Sequence, residues 1–145
     1  MLPSLADLME YKHPQVVRAY SRAHGIEERR GAELFDDMLR FLWVSRKHKA
    51  DQAAAPDDRS KDFLFVMHEE MRDIDNMWHN FILYTKDYTE FCHRYFGEYV
   101  HHQPDVAETI VQTDEEFAAE LERYLSYVYD NLGEETVRRW FADHV

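Results

Sequence analysis

An all-α fold, a single-domain bundle of five to six helices, is what this sequence predicts. Three observations carry that expectation. Apolar residues recur at three- and four-residue spacing along most of the chain, which places them on one side of a helix. Only 4 Gly and 4 Pro interrupt 145 residues, so the elements are few and long. No stretch alternates apolar and polar residues for long enough to make a strand.

Taken in order, Ser4 caps a short helix carrying Leu5, Leu8 and Met9. Pro14 opens the next, with Val16, Val17, Tyr20 and His24 along one side and Gly25 as its stop. The third, "EERRGAELFDDMLRFLWVSRKHK", starts acidic and ends basic as the helix dipole favours, and repeats Leu34, Phe35, Met38 and Leu42. Periodicity then lapses in "ADQAAAPDDRS", a loop at about 50–60. It is read as a loop within one domain, residues 1–145, because neither flank carries a core of its own.

A helix over 62–84 follows, bearing Phe63, Met67, Met71, Ile74, Trp78 and Phe81, and a bend or break is expected near "YTKDYTEF", where Asp87 and Glu90 offer a restart. The next helix runs to Phe96 and is closed by Gly97. "EYVHHQPDVAET" is an extended connection ending at Pro104. Thr113 and Glu116 form a capping box for a helix with Phe117, Leu121, Tyr124, Leu125 and Val128 inward, and Gly133 ends it. A last short helix turns Val137, Trp140 and Phe141 inward, and Trp43, Trp78 and Trp140 are all expected to be buried.

Composition restricts function. The formal charge is −12, which repels nucleic-acid backbone and anionic lipid and favours a cation or a basic protein partner. No apolar run approaches a membrane span, and the first residues lack the basic start and apolar stretch of a secretory signal. A cytoplasmic location is expected. The single cysteine, Cys92, forms no intrachain disulfide and no thiolate-rich zinc site; set among Tyr88, Phe91 and Phe96, it reads as a core thiol. Neither a glycine-rich phosphate loop nor a nucleophile elbow is present.

One constellation has the makings of chemistry. On a helix over 62–84, His68, Asp75 and His79 fall within about 40° of one another. His68 and His79 are about 16 Å apart along the axis, too far for one ion, whereas Asp75 and His79 are one turn apart, about 6 Å. The remaining ligands of a metal site must come from another segment, and His101 and His102 are the donors nearest to hand. Imidazoles with a carboxylate and no thiolate suit a divalent transition metal, iron, manganese or zinc, with open positions. A packing role competes: Asp75 would accept a bond from a buried His79 beside Trp78, and His101 and His102 would cap the preceding helix or satisfy carbonyls in the loop. Asp75, Trp78, His79 and Cys92 are the pocket candidates on either reading.

The run "DIDNMWHNFILYTKDYTEFCHRYFGEYVHHQP" is similar to the family called glycine-rich domain-containing protein-like. The matching positions are Asp75, Trp78, His79, Tyr88, Phe91, Cys92, Phe96, Gly97, His101, His102 and Pro104. The chain lacks that family's glycine-rich tail, so it resembles a compact bacterial-type version. The resemblance implies a shared fold and pocket and names no reaction.

From Asp105 to Glu135 there are ten acidic residues against one basic residue, Arg123. Glu116, Glu120 and Glu122 are the candidate contacts for a basic partner. The function expected first is therefore a small acidic helical protein that serves as a binding or accessory module for another macromolecule. The alternative is a metal-dependent protein or enzyme built on Asp75, His79 and the His101–His102 loop.

Overall fold

The computed structural model describes residues 2–102 and 112–141. Among these residues the chain is all-α, with seven α-helices and no strand. They are α1 (Leu5–Leu8), α2 (Pro14–His24), α3 (Glu28–Ala54), α4 (Arg72–Ile82), α5 (Thr85–Phe96), α6 (Asp114–Leu132) and α7 (Glu134–Phe141). The count exceeds five to six because the one-turn α1 is a helix and because the chain breaks fully at Leu83 and Tyr84. None of these helices is long and apolar enough to cross a membrane. The chain divides into two compact units, Met1–Trp43 with Met71–His101, and Val44–Glu70 with His102–Val145. The loop expected at about 50–60 is not the boundary; it lies inside the second unit.

In the first unit the local signals act as read. The Ser4 hydroxyl accepts the Asp7 N–H at 3.1 Å, Pro14 opens α2, and Gly25 closes it at φ 62°. One cap was not legible: His13 Nδ1 accepts the Val16 N–H at 3.2 Å. That bond puts the ring proton on Nε2, which lies 2.7 Å from Asp87 Oδ2 on α5. Phe35, Phe81 and Phe91 are buried together, with ring centroids 5.3–5.4 Å apart where Phe81 meets the other two. Trp43 is 9% exposed and donates its indole N–H to the Pro3 carbonyl at 2.8 Å.

In the second unit two boundaries differ from expectation. Helix α3 continues to Ala54, past the expected loop start at 50. Ala53 and Ala54 favour helix, and Lys47 bonds Asp51 at 2.6 Å one turn on, a pair that the Tyr127 hydroxyl joins at 2.7 Å. The helix expected over 62–84 begins only at Arg72, after a 3-10 turn at Glu69–Met71. Upstream, α6 supplies the backbone partners that a helix would have supplied. Arg123 Nε donates to the Asp62 carbonyl at 2.9 Å, Glu120 accepts the Leu64 N–H at 3.3 Å, and the Tyr124 hydroxyl donates to the Val66 carbonyl at 2.9 Å. Phe65 stacks on Tyr124 at 4.5 Å. The Thr113–Glu116 capping box starts α6, and Gly133 ends it at φ 89°. Trp140 is 1% exposed.

His48 is buried in this unit, its ring 4.2 Å from that of Phe63 and its Nε2 3.0 Å from the Lys61 carbonyl. Burial lowers its pKa, against smaller opposing effects of that carbonyl bond and of Asp51, while the Lys61 charge adds to the lowering. A neutral native histidine contributes fully above its unfolded pKa of about 6.5. The contribution is lost as pH falls below that value and is gone once pH is below the lowered folded value. The wild-type melting temperature is thus expected to fall between about pH 7.5 and pH 5. His48→Gln should show a shallower fall, and an unchanged slope in that variant would refute the assignment.

Candidate metal centre

Helix α4 is amphipathic, with Ile74, Met77, Trp78 and Phe81 buried. Asp75 and His79 stand at the edge of that stripe, Asp75 half-buried and His79 exposed. One turn of helix separates them, so both side chains lean the same way. The chain then makes α5 and stops at Gly97, whose φ of 73° is the left-handed conformation that turns the backbone out of a helix.

A buried phenol bonds the returning segment. Tyr88 on α5 is fully buried and donates its hydroxyl proton to the Val100 carbonyl at 2.6 Å. The same oxygen accepts the Trp78 indole N–H at 3.0 Å. Burial raises the Tyr88 pKa, so the phenol stays protonated and remains a donor. The rings of Tyr88 and Tyr99 meet edge to face at 5.3 Å.

With the backbone held at Val100, the ligand atoms of Asp75, His79 and His102 all lie within 4.8 Å of one another. The division between the two units falls at the peptide bond from His101 to His102, directly after this anchored stretch. His101 is not in the group; it is exposed and its ring packs on Tyr99 at 4.7 Å. Successive side chains on a non-helical stretch point to opposite sides, so only one of two adjacent histidines faces α4. Metal–ligand bonds of about 2.0–2.2 Å separate neighbouring donors by about 3–3.5 Å. Two imidazoles and one carboxylate leave coordination positions for water or substrate.

The other residues singled out in the sequence lie elsewhere. His68 is not on α4; its ring meets Tyr124 at 4.5 Å and Phe141 at 5.7 Å in the second unit. Trp78 and Cys92 are buried, 7% and 0% exposed, so they back the site rather than line an opening. His79, being exposed, is not the buried imidazole of the packing alternative. The last turn of α5 is closed by the Gly97 N–H on the His93 carbonyl. Pro104 lies outside the described residues. On α6, Glu116 and Glu122 are exposed, but Glu120 is engaged by the Leu64 N–H and by Gln112 Nε2, each at 3.3 Å. The role of Tyr88 had no sequence signal beyond its aromatic spacing, because its partners are carbonyl and indole groups on other segments.

A family model described as UCP032817-like matches residues 59–135, more than half of the chain. The chain belongs to the UCP032817-like family. This uncharacterised family replaces the glycine-rich domain-containing resemblance, which is overturned. That resemblance rested on residues 70–104, and much of its pattern answers general needs of packing. Trp78, Tyr88, Phe91 and Cys92 are core, and Gly97 is a helix stop. The UCP032817-like match begins at Arg59, well before α4, and runs through α6 to the start of α7, so it includes Asp75, His79 and His102. Comparison with curated proteins and with solved structures finds no match.

Proposed function

We propose that this protein binds one divalent transition metal through Asp75, His79 and His102 and works through it. The observation that supports this is the approach of three ligand atoms to within 4.8 Å, from two helical positions and one residue 23 positions downstream of His79. The mixed nitrogen and oxygen set without thiolate favours iron, manganese or zinc, and the open positions suit activation of a bound water or oxygen ligand. A cytoplasmic setting fits the lone, reduced and buried Cys92. The test is elemental analysis of untagged protein, with calorimetric titration of the chelator-treated protein by zinc, manganese and anaerobic ferrous ion. About one equivalent of a saturably bound metal is expected. Protein that is metal-free as isolated, and that binds none of the three, sinks the reading.

A second reading, a binding module for a basic partner, has an observation of its own in the second unit. Ala118, Leu121, Leu125 and Tyr129 of α6 line an apolar groove with Val137 of α7, and Glu122 stands on its border. Tyr129 is 56% exposed, and Asp114, Glu115 and Glu116 lie exposed on the same helix. Apolar floor and acidic margin fit a basic amphipathic helix of another protein. A synthetic Lys/Leu amphipathic helix should bind with salt-sensitive affinity, and Leu125→Glu and the pair Glu116→Gln, Glu122→Gln should each weaken it. Equal binding by all three proteins would remove this reading.

A further inference from the structure

We infer that Tyr88 is a positioning residue of the metal site, a side chain that holds its two ligand-bearing segments in register. The inference rests on the metal reading above. The Tyr88 oxygen bonds the indole of Trp78, the residue beside His79, at 3.0 Å. Its proton goes to the carbonyl of Val100, two residues before His102, at 2.6 Å. A single buried atom thus ties α4 to the return segment at points adjacent to two of the three ligands. Tyr88 is on α5 and is not among the three ligands, so it acts on the site through its hydroxyl bonds to Trp78 and Val100; Cys92, on α5 itself, also bonds the phenol oxygen and ties neither ligand-bearing segment.

Removing the hydroxyl keeps the ring packing against Phe81 and Phe91 and cuts both ties at once. The 99–102 stretch then loses its fixed register, and His102 spends less time facing Asp75 and His79. Supporting partners of metal ligands are worth about 10–100-fold in affinity. Tyr88→Phe is expected to weaken Co2+ binding by about tenfold or more and to alter the visible bands that report cobalt coordination. Tyr124→Phe is the control: it deletes a comparable hydroxyl bond, to the Val66 carbonyl at 2.9 Å, in the other unit. It should bind Co2+ with wild-type affinity and spectrum.

A measurement on the wild type needs no variant. Linkage is reciprocal, so if the Tyr88 bonds favour the metal, the metal must favour the bonds. Saturating Zn2+ should slow solvent exchange of the Trp78 indole proton. The Trp43 indole proton, bonded to Pro3, should be unaffected. Wild-type cobalt binding that is matched in affinity and spectrum by Tyr88→Phe overturns the inference and spares the metal site. So does equal weakening in Tyr124→Phe, or an unchanged Trp78 exchange rate on adding Zn2+. A wild type that binds neither ion overturns both readings.

Discussion

His102→Ala should lose divalent-metal affinity by more than about 100-fold, beyond the 10–100-fold that supporting partners contribute, while His101→Ala should bind as wild type. The contrast between adjacent, identical residues makes this a sharp test. His102 supplies one of three ligand atoms within 4.8 Å of one another, and His101 instead packs on Tyr99 at 4.7 Å. Metal present at 100 times its dissociation constant stabilises the native state by about 2.7 kcal/mol. The wild type and His101→Ala should therefore melt several degrees higher with zinc than without, and His102→Ala should show no such rise. Without metal the three proteins should melt within a few degrees of one another, since neither histidine is buried. A His101→Ala variant that loses the metal response would mean that the segment is turned the other way, and the proposed ligand set would be wrong.

The largest stability effect expected in the first unit is at Gly31. A Cβ placed there would clash with Ser21 Oγ and lie 3.2 Å from Val17 Cγ1. Helices α2 and α3 approach so closely at this point that only hydrogen fits. Alanine in a helix interior gains about 1 kcal/mol over glycine, but overpacking costs about 1–3 kcal/mol. We expect Gly31→Ala to destabilise by about 1–2 kcal/mol and Gly31→Val by about 3 kcal/mol, each kcal/mol lowering the melting temperature by about 2–4 °C. Ser21 is 4% exposed, and its hydroxyl finds no hydrogen-bond partner among the described residues. Ser21→Ala should therefore be neutral or stabilising, because an unsatisfied buried hydroxyl costs about 1–3 kcal/mol. The double variant Gly31→Ala with Ser21→Ala removes the nearest obstacle and should recover most of the loss, a non-additivity that denaturant melts can measure. Strictly additive effects would show that the clash is relieved by movement of the helices instead.

Helix ends were legible because capping is local chemistry. Ser4, Pro14, Gly25, Gly97, Thr113 with Glu116, and Gly133 each act on backbone groups within a few residues of themselves. The burial of Trp43, Trp78 and Trp140 was legible for a related reason, since helical spacing alone decides which face is apolar. "DFLFVMHEEM" was misread because it has the composition and spacing of a buried helix. Its backbone is instead satisfied by side chains 56, 58 and 61 residues away in sequence, on a helix whose reach no local pattern encodes.

Asp75 and His79 were paired by sequence alone, because an i, i+4 spacing on a helix brings side chains together whatever surrounds them. Which of His101 and His102 would join them could not be read, because residues on a non-helical stretch alternate sides and one step of register exchanges them. Tertiary structure makes that choice: the His102 ligand atom lies within 4.8 Å of those of Asp75 and His79, on a stretch whose Val100 carbonyl accepts the buried Tyr88 hydroxyl, a long-range bond that no local pattern encodes.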